Sequence, residues 1–188
     1  MILPWKKVSD RVDYDCGFFK VRVQKSLSPV TGKEHPFYVL DTHDWVNVIA
    51  LTPDEKVLLV SQFRHGSEQI SDEIPGGAVD RKDASPLDAG KRELLEETGY
   101  QGAEWFSLGA VRPNPAILNN RCHFFLATGA RQVADLHLDE AEELEGLLIP
   151  LSEIPARIRD GRISHALVIA AFHLLELFRK ENPDKLGF

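Results

Sequence analysis

Between Ser85 and Gly99 the chain carries every local signal that a short α-helix needs. Ser85 is a good N-cap, because its hydroxyl can accept from a backbone N–H that has no partner inside the helix. Pro86 suits the first helical position, and Asp88 stands where a reciprocal capping carboxylate belongs. Gly99 supplies the left-handed stop. Within these limits Glu93, Glu96 and Glu97 fall at i, i+3 and i+4, so their carboxylates project from one side. Leu87, Leu94 and Thr98 gather on another side and would seat the helix on a core.

Three carboxylates within about one helical turn repel one another. At an effective dielectric near 20, a pair roughly 5 Å apart costs on the order of 3 kcal/mol. Two arrangements relieve that cost. Water and salt can screen an open, solvated acidic face. Alternatively, divalent cations between the carboxylates reverse the sign of the interaction. An all-oxygen donor set suits Mg²⁺ or Mn²⁺, with water and substrate phosphates completing the shell.

The 188 residues suit one domain with a sizeable core. A net charge of −7 argues against broad contact with nucleic acid or an anionic membrane, both of which need a basic surface. The same charge would repel a polyphosphate substrate unless cations or clustered Arg residues intervened. Cys16 and Cys122 form neither a disulfide framework nor a Cys-x-x-Cys pair, so free thiols in a reducing compartment are expected. No signal peptide and no apolar run of membrane-spanning length is read, and a cytoplasmic protein is expected.

Along the chain, Phe19, Val21 and Val23 alternate with Lys20, Arg22 and Gln24, the pattern of a half-buried strand. Ser28 to Gly32 is a turn, and Pro36 to Leu40 the return strand of an antiparallel hairpin. Val46–Leu51 and Val57–Val60 are strands joined by a turn-rich connection. Further strands are read at Glu104–Val111 and Arg121–Ala127, separated by a loop in which Pro113 and Pro115 cannot supply ladder donors. Ser152 is expected to cap a short helix ended by Gly161, and Ser164 to begin a longer, mostly apolar one reaching about Lys180. A single domain follows, with residues 1–44 as an N-terminal β element and 45–188 as the core. Other chemistries are disfavoured: there is no glycine-rich dinucleotide or phosphate loop, no Gly-x-Ser-x-Gly elbow and no His-Glu-x-x-His pair.

Arg92-Glu-Leu-Leu-Glu-Glu-Thr-Gly-Tyr100, preceded by Glu73-Ile-Pro-Gly-Gly77, resembles the signature of the Nudix hydrolases. Gly77, Arg92, Glu93, Leu94, Glu96, Glu97, Gly99 and Tyr100 match it. One position departs: the family's loop Glu falls on Asp83 counting forward from Gly77 and on Ala84 counting back from Arg92. The loop is therefore one residue longer than the signature, and Asp83 is expected in the place of a Glu that supports the loop–helix–loop.

The resemblance implies an α/β fold, an α/β/α sandwich around a mixed sheet with the N-terminal antiparallel hairpin added. It implies metal-dependent cleavage of the pyrophosphate in a nucleoside diphosphate linked to another group. ADP-ribose leads, with sugars such as GDP-mannose close behind and a catalytically silent nucleotide-binding domain as the competing class. Pro115, fifteen residues past Tyr100, is a weak pointer to ADP-ribose. By resemblance, the carbonyl of Gly76 and the carboxylates of Glu93, Glu96, Glu97 and Glu142 hold Mg²⁺ or Mn²⁺, and Glu140 is the base, with Glu143 and Glu145 as close rivals. Arg64 is a candidate for the phosphates, against an ordinary surface Arg. Trp45 is a candidate for base stacking, against packing at a strand entrance. Asn119 and Arg121 are candidates for reading a sugar or phosphate, against polar loop residues with no role. A homodimer exchanging N-terminal sheets is also implied, against an edge strand in a monomer.

Overall fold

The computed structural model describes residues 1–135 and 143–184, and the chain divides into two units. The first comprises Met1–Asp44 and Arg112–Arg121. Its strands β1 (Lys6–Asp15), β2 (Phe19–Leu27) and β3 (Glu34–Thr42) form an antiparallel meander in that order. The β2–β3 pair is the hairpin read from alternation, in register from Phe19 opposite Thr42 to Leu27 opposite Glu34. At its turn, the Ser28 carbonyl accepts from the Gly32 amide at 2.9 Å.

Strand β1 was not foreseen. It is exposed along almost its whole length, and two register shifts interrupt its alternation. A charged contact helps bind it to β2: Arg22 on β2 contacts Asp10 on β1 and, at 3.4 Å, also Asp41 on β3. The 112–121 segment joins this unit through the Leu40 amide, which donates to the Ile117 carbonyl at 2.7 Å.

The second unit holds β4 (Trp45–Ala50), β5 (Lys56–Arg64), β6 (Gln69–Glu73), β7 (Gly76–Ala78), α1 (Pro86–Thr98), β8 (Tyr100–Gln101), β9 (Glu104–Val111), β10 (Cys122–Thr128), β11 (Arg131–Gln132), β12 (Leu144–Pro150), α2 (Ile154–Arg159) and α3 (Ala166–Glu181). One sheet runs β7-β4-β10-β9 and is mixed, because β10 lies parallel to β4 while the other pairs are antiparallel. A second, antiparallel sheet runs β12-β5-β6, and β8 pairs with β11.

The mixed sheet is covered on both faces. From β4 and β10, Val46, Val48, Ala50, Phe125 and Ala127 pack with Ala89 and Leu94 of α1. The alternate residues Ile49, Phe124 and Leu126 pack with Val168, Ala171 and Leu175 of α3. Period-two alternation between two apolar layers explains why β4 reads as an unbroken apolar run, as central strands buried on both sides do.

The limits of α1 are those the sequence indicated. The Ser85 hydroxyl accepts from the Asp88 amide, Gly99 lies in the left-handed region at φ 72°, and its N–H donates to the Leu95 carbonyl. The later helix starts differ from expectation. Residues Leu151–Glu153 make a 3₁₀ turn into α2, and α3 begins after His165. Neither α2 nor α3 has a side-chain cap bond, so Ser152 and Ser164 do not cap them. Packing of apolar faces carries these helices in place of capping. Among the described residues, no helix is long and apolar enough to cross a membrane.

Candidate active site

Strand β7 brings the paired glycines against the acidic face of α1. Gly76 lies opposite Asn47 of β4, and a Cβ on Gly76 would meet the Val46 carbonyl at 2.1 Å and the Asn47 amide nitrogen at 2.7 Å. A Cβ on Gly77 would meet Glu93 Oε1 at 2.5 Å. Both positions need glycine so that this backbone can approach β4 on one side and the helix carboxylates on the other. The Gly76 amide donates to Glu97 Oε2 at 3.0 Å, which ties the buried Glu97 to the strand.

Arg92 organises the outer half of the same face. Its Nε and Nη2 donate to Asp83 at 3.1 and 2.9 Å, and Nη2 also donates to the Ala78 carbonyl at 3.1 Å. Its Nη1 donates to Glu93 Oε1 at 2.9 Å and to Glu96 Oε2 at 3.0 Å. The hydrogen bonds to Asp83, foremost, and the neighbouring carboxylates raise the Arg92 pKa, while Arg92 holds the Asp83 carboxyl below the usual range. The ambiguity in the loop is thereby resolved: Asp83, not Ala84, reaches the helix. The Asp80 amide adds a bond to Asp83 Oδ2 at 2.8 Å and closes the extra residue into a turn.

The β5–β6 hairpin adds a second charged pair. Arg64 donates through Nε and Nη2 to Glu73 at 2.9 and 2.7 Å. Glu73 is only 1% exposed, whereas the Arg64 side chain is 45% exposed. Glu73 raises the Arg64 pKa against the opposing effect of burial, with a smaller contribution from the charge of Glu97. On the hairpin's opposite face, Asp72 accepts from the Ser61 hydroxyl at 2.6 Å and from Arg157 Nη1 of α2 at 2.7 Å. Sequence reading missed this buried network, because its members are 11 and 85 residues apart.

The remaining candidates are distributed as follows. Trp45 is half-buried and packs on the core cluster that includes α3, the packing arrangement weighed against base stacking. Asn119 and Arg121 belong to the first unit. There the Asn119 amide group contacts Asp41 and accepts from the Thr42 N–H, and the Arg121 backbone N–H donates to Asp44 at 2.8 Å. Glu140 and Glu142 lie outside the described residues; Glu143 and Glu145 are exposed.

The side chains on α1 fit a hard divalent cation in their chemistry. Glu93, Glu96 and Glu97 offer only oxygen donors, and the bare backbone at Gly77 comes within contact distance of the Glu93 carboxylate. In their present rotamers Glu93 and Glu96 turn to Arg92 and Glu97 turns to the Gly76 amide. Among the described residues, no three acidic, His or Cys side chains are grouped around one point.

Comparison with known proteins places this geometry. The NUDIX domain matches residues 41–172. A "Methanol dehydrogenase activator" from Bacillus methanolicus is 31% identical over 70% of this chain and 71% of its own length. An "ADP-ribose pyrophosphatase" from Bacillus subtilis is 30% identical over the same two shares. A crystal structure of an "ADP compounds hydrolase" superposes with a TM-score of 0.85 over 97% of both chains at 18% identity, a likeness of fold. The mixed sheet between helices, the Gly76–Gly77 strand and the acidic helix are thus accounted for together: this chain belongs to the Nudix family of pyrophosphohydrolases.

Proposed function

We propose that this protein hydrolyses the pyrophosphate of ADP-ribose in the presence of Mg²⁺ or Mn²⁺. The observation that carries the reading is the convergence of the Glu93, Glu96 and Glu97 face with the Gly76–Gly77 backbone. A relative bearing the ADP-ribose pyrophosphatase name supports the substrate.

Glu93, Glu96, Glu97, the Gly76 carbonyl and Glu142 would hold the cations. Bound there, they would polarise phosphoryl oxygens and make water a better nucleophile. The chain's own groups do the rest. Glu140 takes the proton of the attacking water, with Glu143 and Glu145 as the nearest substitutes. Arg64, held by Glu73, is assigned to the substrate. Arg92 holds Glu93 and Glu96 together, and Asp83 holds Arg92 on the loop, so that the helix carboxylates would stay positioned to take cations. Asn119, Arg121 and Trp45 are assigned to the nucleoside and sugar.

Two further assignments belong to this reading. The first unit leaves Val8, Val12, Tyr14, Phe37 and Tyr38 exposed on one meander, which supports a homodimer built through it. Neither Cys16 nor Cys122 is in a disulfide, and a reducing, cytoplasmic setting is assigned on that ground.

The test is incubation with a panel of nucleoside diphosphate derivatives, GDP-mannose among them, with and without Mg²⁺, and identification of products by ³¹P NMR. Release of AMP and ribose phosphate from ADP-ribose, abolished by EDTA, is the expected result. Turnover of another member alone would replace the substrate, and turnover of none would favour a nucleotide-binding domain. Light scattering in the same buffer reads the oligomeric state.

A further inference from the structure

Among the described carboxylates, Glu73 is the most deeply buried. Its Oε2, which accepts from Arg64 Nη2, also lies 3.7 Å from Nδ1 of His165. That nitrogen is buried and has no hydrogen-bond partner among the described residues, although the imidazole as a whole is 39% exposed. One edge of the ring therefore faces a buried carboxylate while the remainder reaches solvent. His165 directly precedes α3 but makes no side-chain cap bond, so the start of the helix does not account for an imidazole here.

We propose that His165 is a substrate-contacting residue, oriented by Glu73 and acting with Arg64, whose Nε2 accepts a hydrogen bond from a sugar hydroxyl of the nucleoside diphosphate derivative. The inference rests on the hydrolase reading above. A carboxylate facing Nδ1 favours the tautomer with its proton on that nitrogen, which leaves Nε2 as an acceptor. Closing the gap to Oε2 takes a movement of about 1 Å, and a ligand engaging the outer edge would set the ring. Arg64 spends Nε and Nη2 on Glu73, and its Nη1 makes no hydrogen bond to a described residue. One buried carboxylate thus positions a spare donor on half-exposed Arg64 and an acceptor on partly exposed His165. A hydroxyl both gives and takes a hydrogen bond and matches the pair, whereas an ionised phosphate oxygen only accepts and matches half of it. Glu73 stands three residues before Gly76, whose amide donates to Glu97 Oε2 at 3.0 Å, which puts the pair near the inner end of the acidic face.

Two sugars flank the diphosphate of ADP-ribose, so the experiment uses three substrates: ADP-ribose, the methyl ester of ADP, and an ADP-ribose whose adenosine sugar lacks its hydroxyls. His165→Phe keeps the ring and removes the acceptor. Its KM for ADP-ribose should rise about three- to tenfold, the size of one neutral hydrogen bond, with kcat within about twofold and the unfolding midpoint unchanged. The rise should vanish with the one analogue that lacks the contacted hydroxyl, which names the sugar. His165→Asn, a good helix cap, should give the same KM change if the Phe variant does not fold. An unchanged KM overturns the inference, and so does a rise that persists undiminished with both analogues, since that marks a phosphate contact. Failure of the wild-type protein to turn over ADP-ribose overturns the substrate reading, and this inference with it, before any variant is made.

Discussion

Asp83 and Arg92 form a two-point ion pair, with Nε donating to one carboxylate oxygen and Nη2 to the other, at 3.1 and 2.9 Å. The Asp83 side chain is 6% exposed, and the guanidinium continues to Ala78, Glu93 and Glu96. The loop before α1, the glycine strand and the acidic face therefore share one cation. Although the loop is one residue longer than the family spacing, the turn from Asp80 to Asp83 absorbs the extra length and returns a carboxylate to the helix.

Replacing Asp83 with Asn should lower stability by about 1.5–3 kcal/mol, the range for hydrogen bonds to a charged group, and reduce turnover. The Asp83 carboxyl is held below its ordinary pKa chiefly by the hydrogen bond from Arg92. Its stabilisation is then complete above the unfolded value near 3.9 and is lost as pH falls through the lower folded value. Denaturant unfolding of wild type and D83N should show the full gap near pH 6 and a shrinking gap below about pH 4. A gap independent of pH would show that the charge of Asp83 is not what matters.

The pair of Arg64 and Glu73 is asymmetric, because one partner is buried and the other half-exposed. Arg64→Ala removes the two-point partner of the buried Glu73 carboxyl and should cost about 3–5 kcal/mol. Glu73→Gln keeps an acceptor and lets Arg64 rehydrate, at a cost of about 1–2 kcal/mol. Urea midpoints should rank R64A below E73Q, and the reverse order would refute the assignment of burial to Glu73.

The two glycines of β7 should separate stability from activity. Gly76→Ala drives a Cβ into the Val46 carbonyl and the backbone of Asn47, which cannot move without opening the β4–β7 pairing, so the melting temperature should fall by several degrees. At Gly77 the three atoms nearest an added Cβ are all in the carboxylate end of Glu93. That side chain can swing away, so G77A should melt near wild type while losing Mg²⁺-dependent turnover.

Glu97→Gln preserves an acceptor for the Gly76 amide while removing a charge from the proposed cation site. Activity should fall at least about 100-fold with the melting temperature nearly unchanged. In calorimetric titration Mg²⁺ should bind the wild-type protein and not E97Q. Full activity in E97Q would sink the metal assignment.

The stretch from Ser85 to Gly99 could be read without a structure because each of its signals acts over a few residues: a cap, a proline, a left-handed glycine and a 3.6-residue period. The central strands were equally legible, since burial on alternate sides leaves a direct imprint on β4 and β10. Strand β1 was harder to read, because Val8, Val12 and Tyr14 alternate around the charged Asp10, two register shifts break the pairing, and the strand is exposed. Counting alone left Asp83 and Ala84 both open and only the carboxylate favoured Asp83; that it reaches Arg92 depends on how the Asp80–Asp83 turn folds back. Nor could it show that Glu73 serves both Arg64 and His165. The first contact follows from hairpin register and the second from where α3 docks, 92 residues later along the chain. Local torsional and capping energies reside in neighbouring residues and can be read there, whereas a buried charge acquires its partners only when separate elements pack around it.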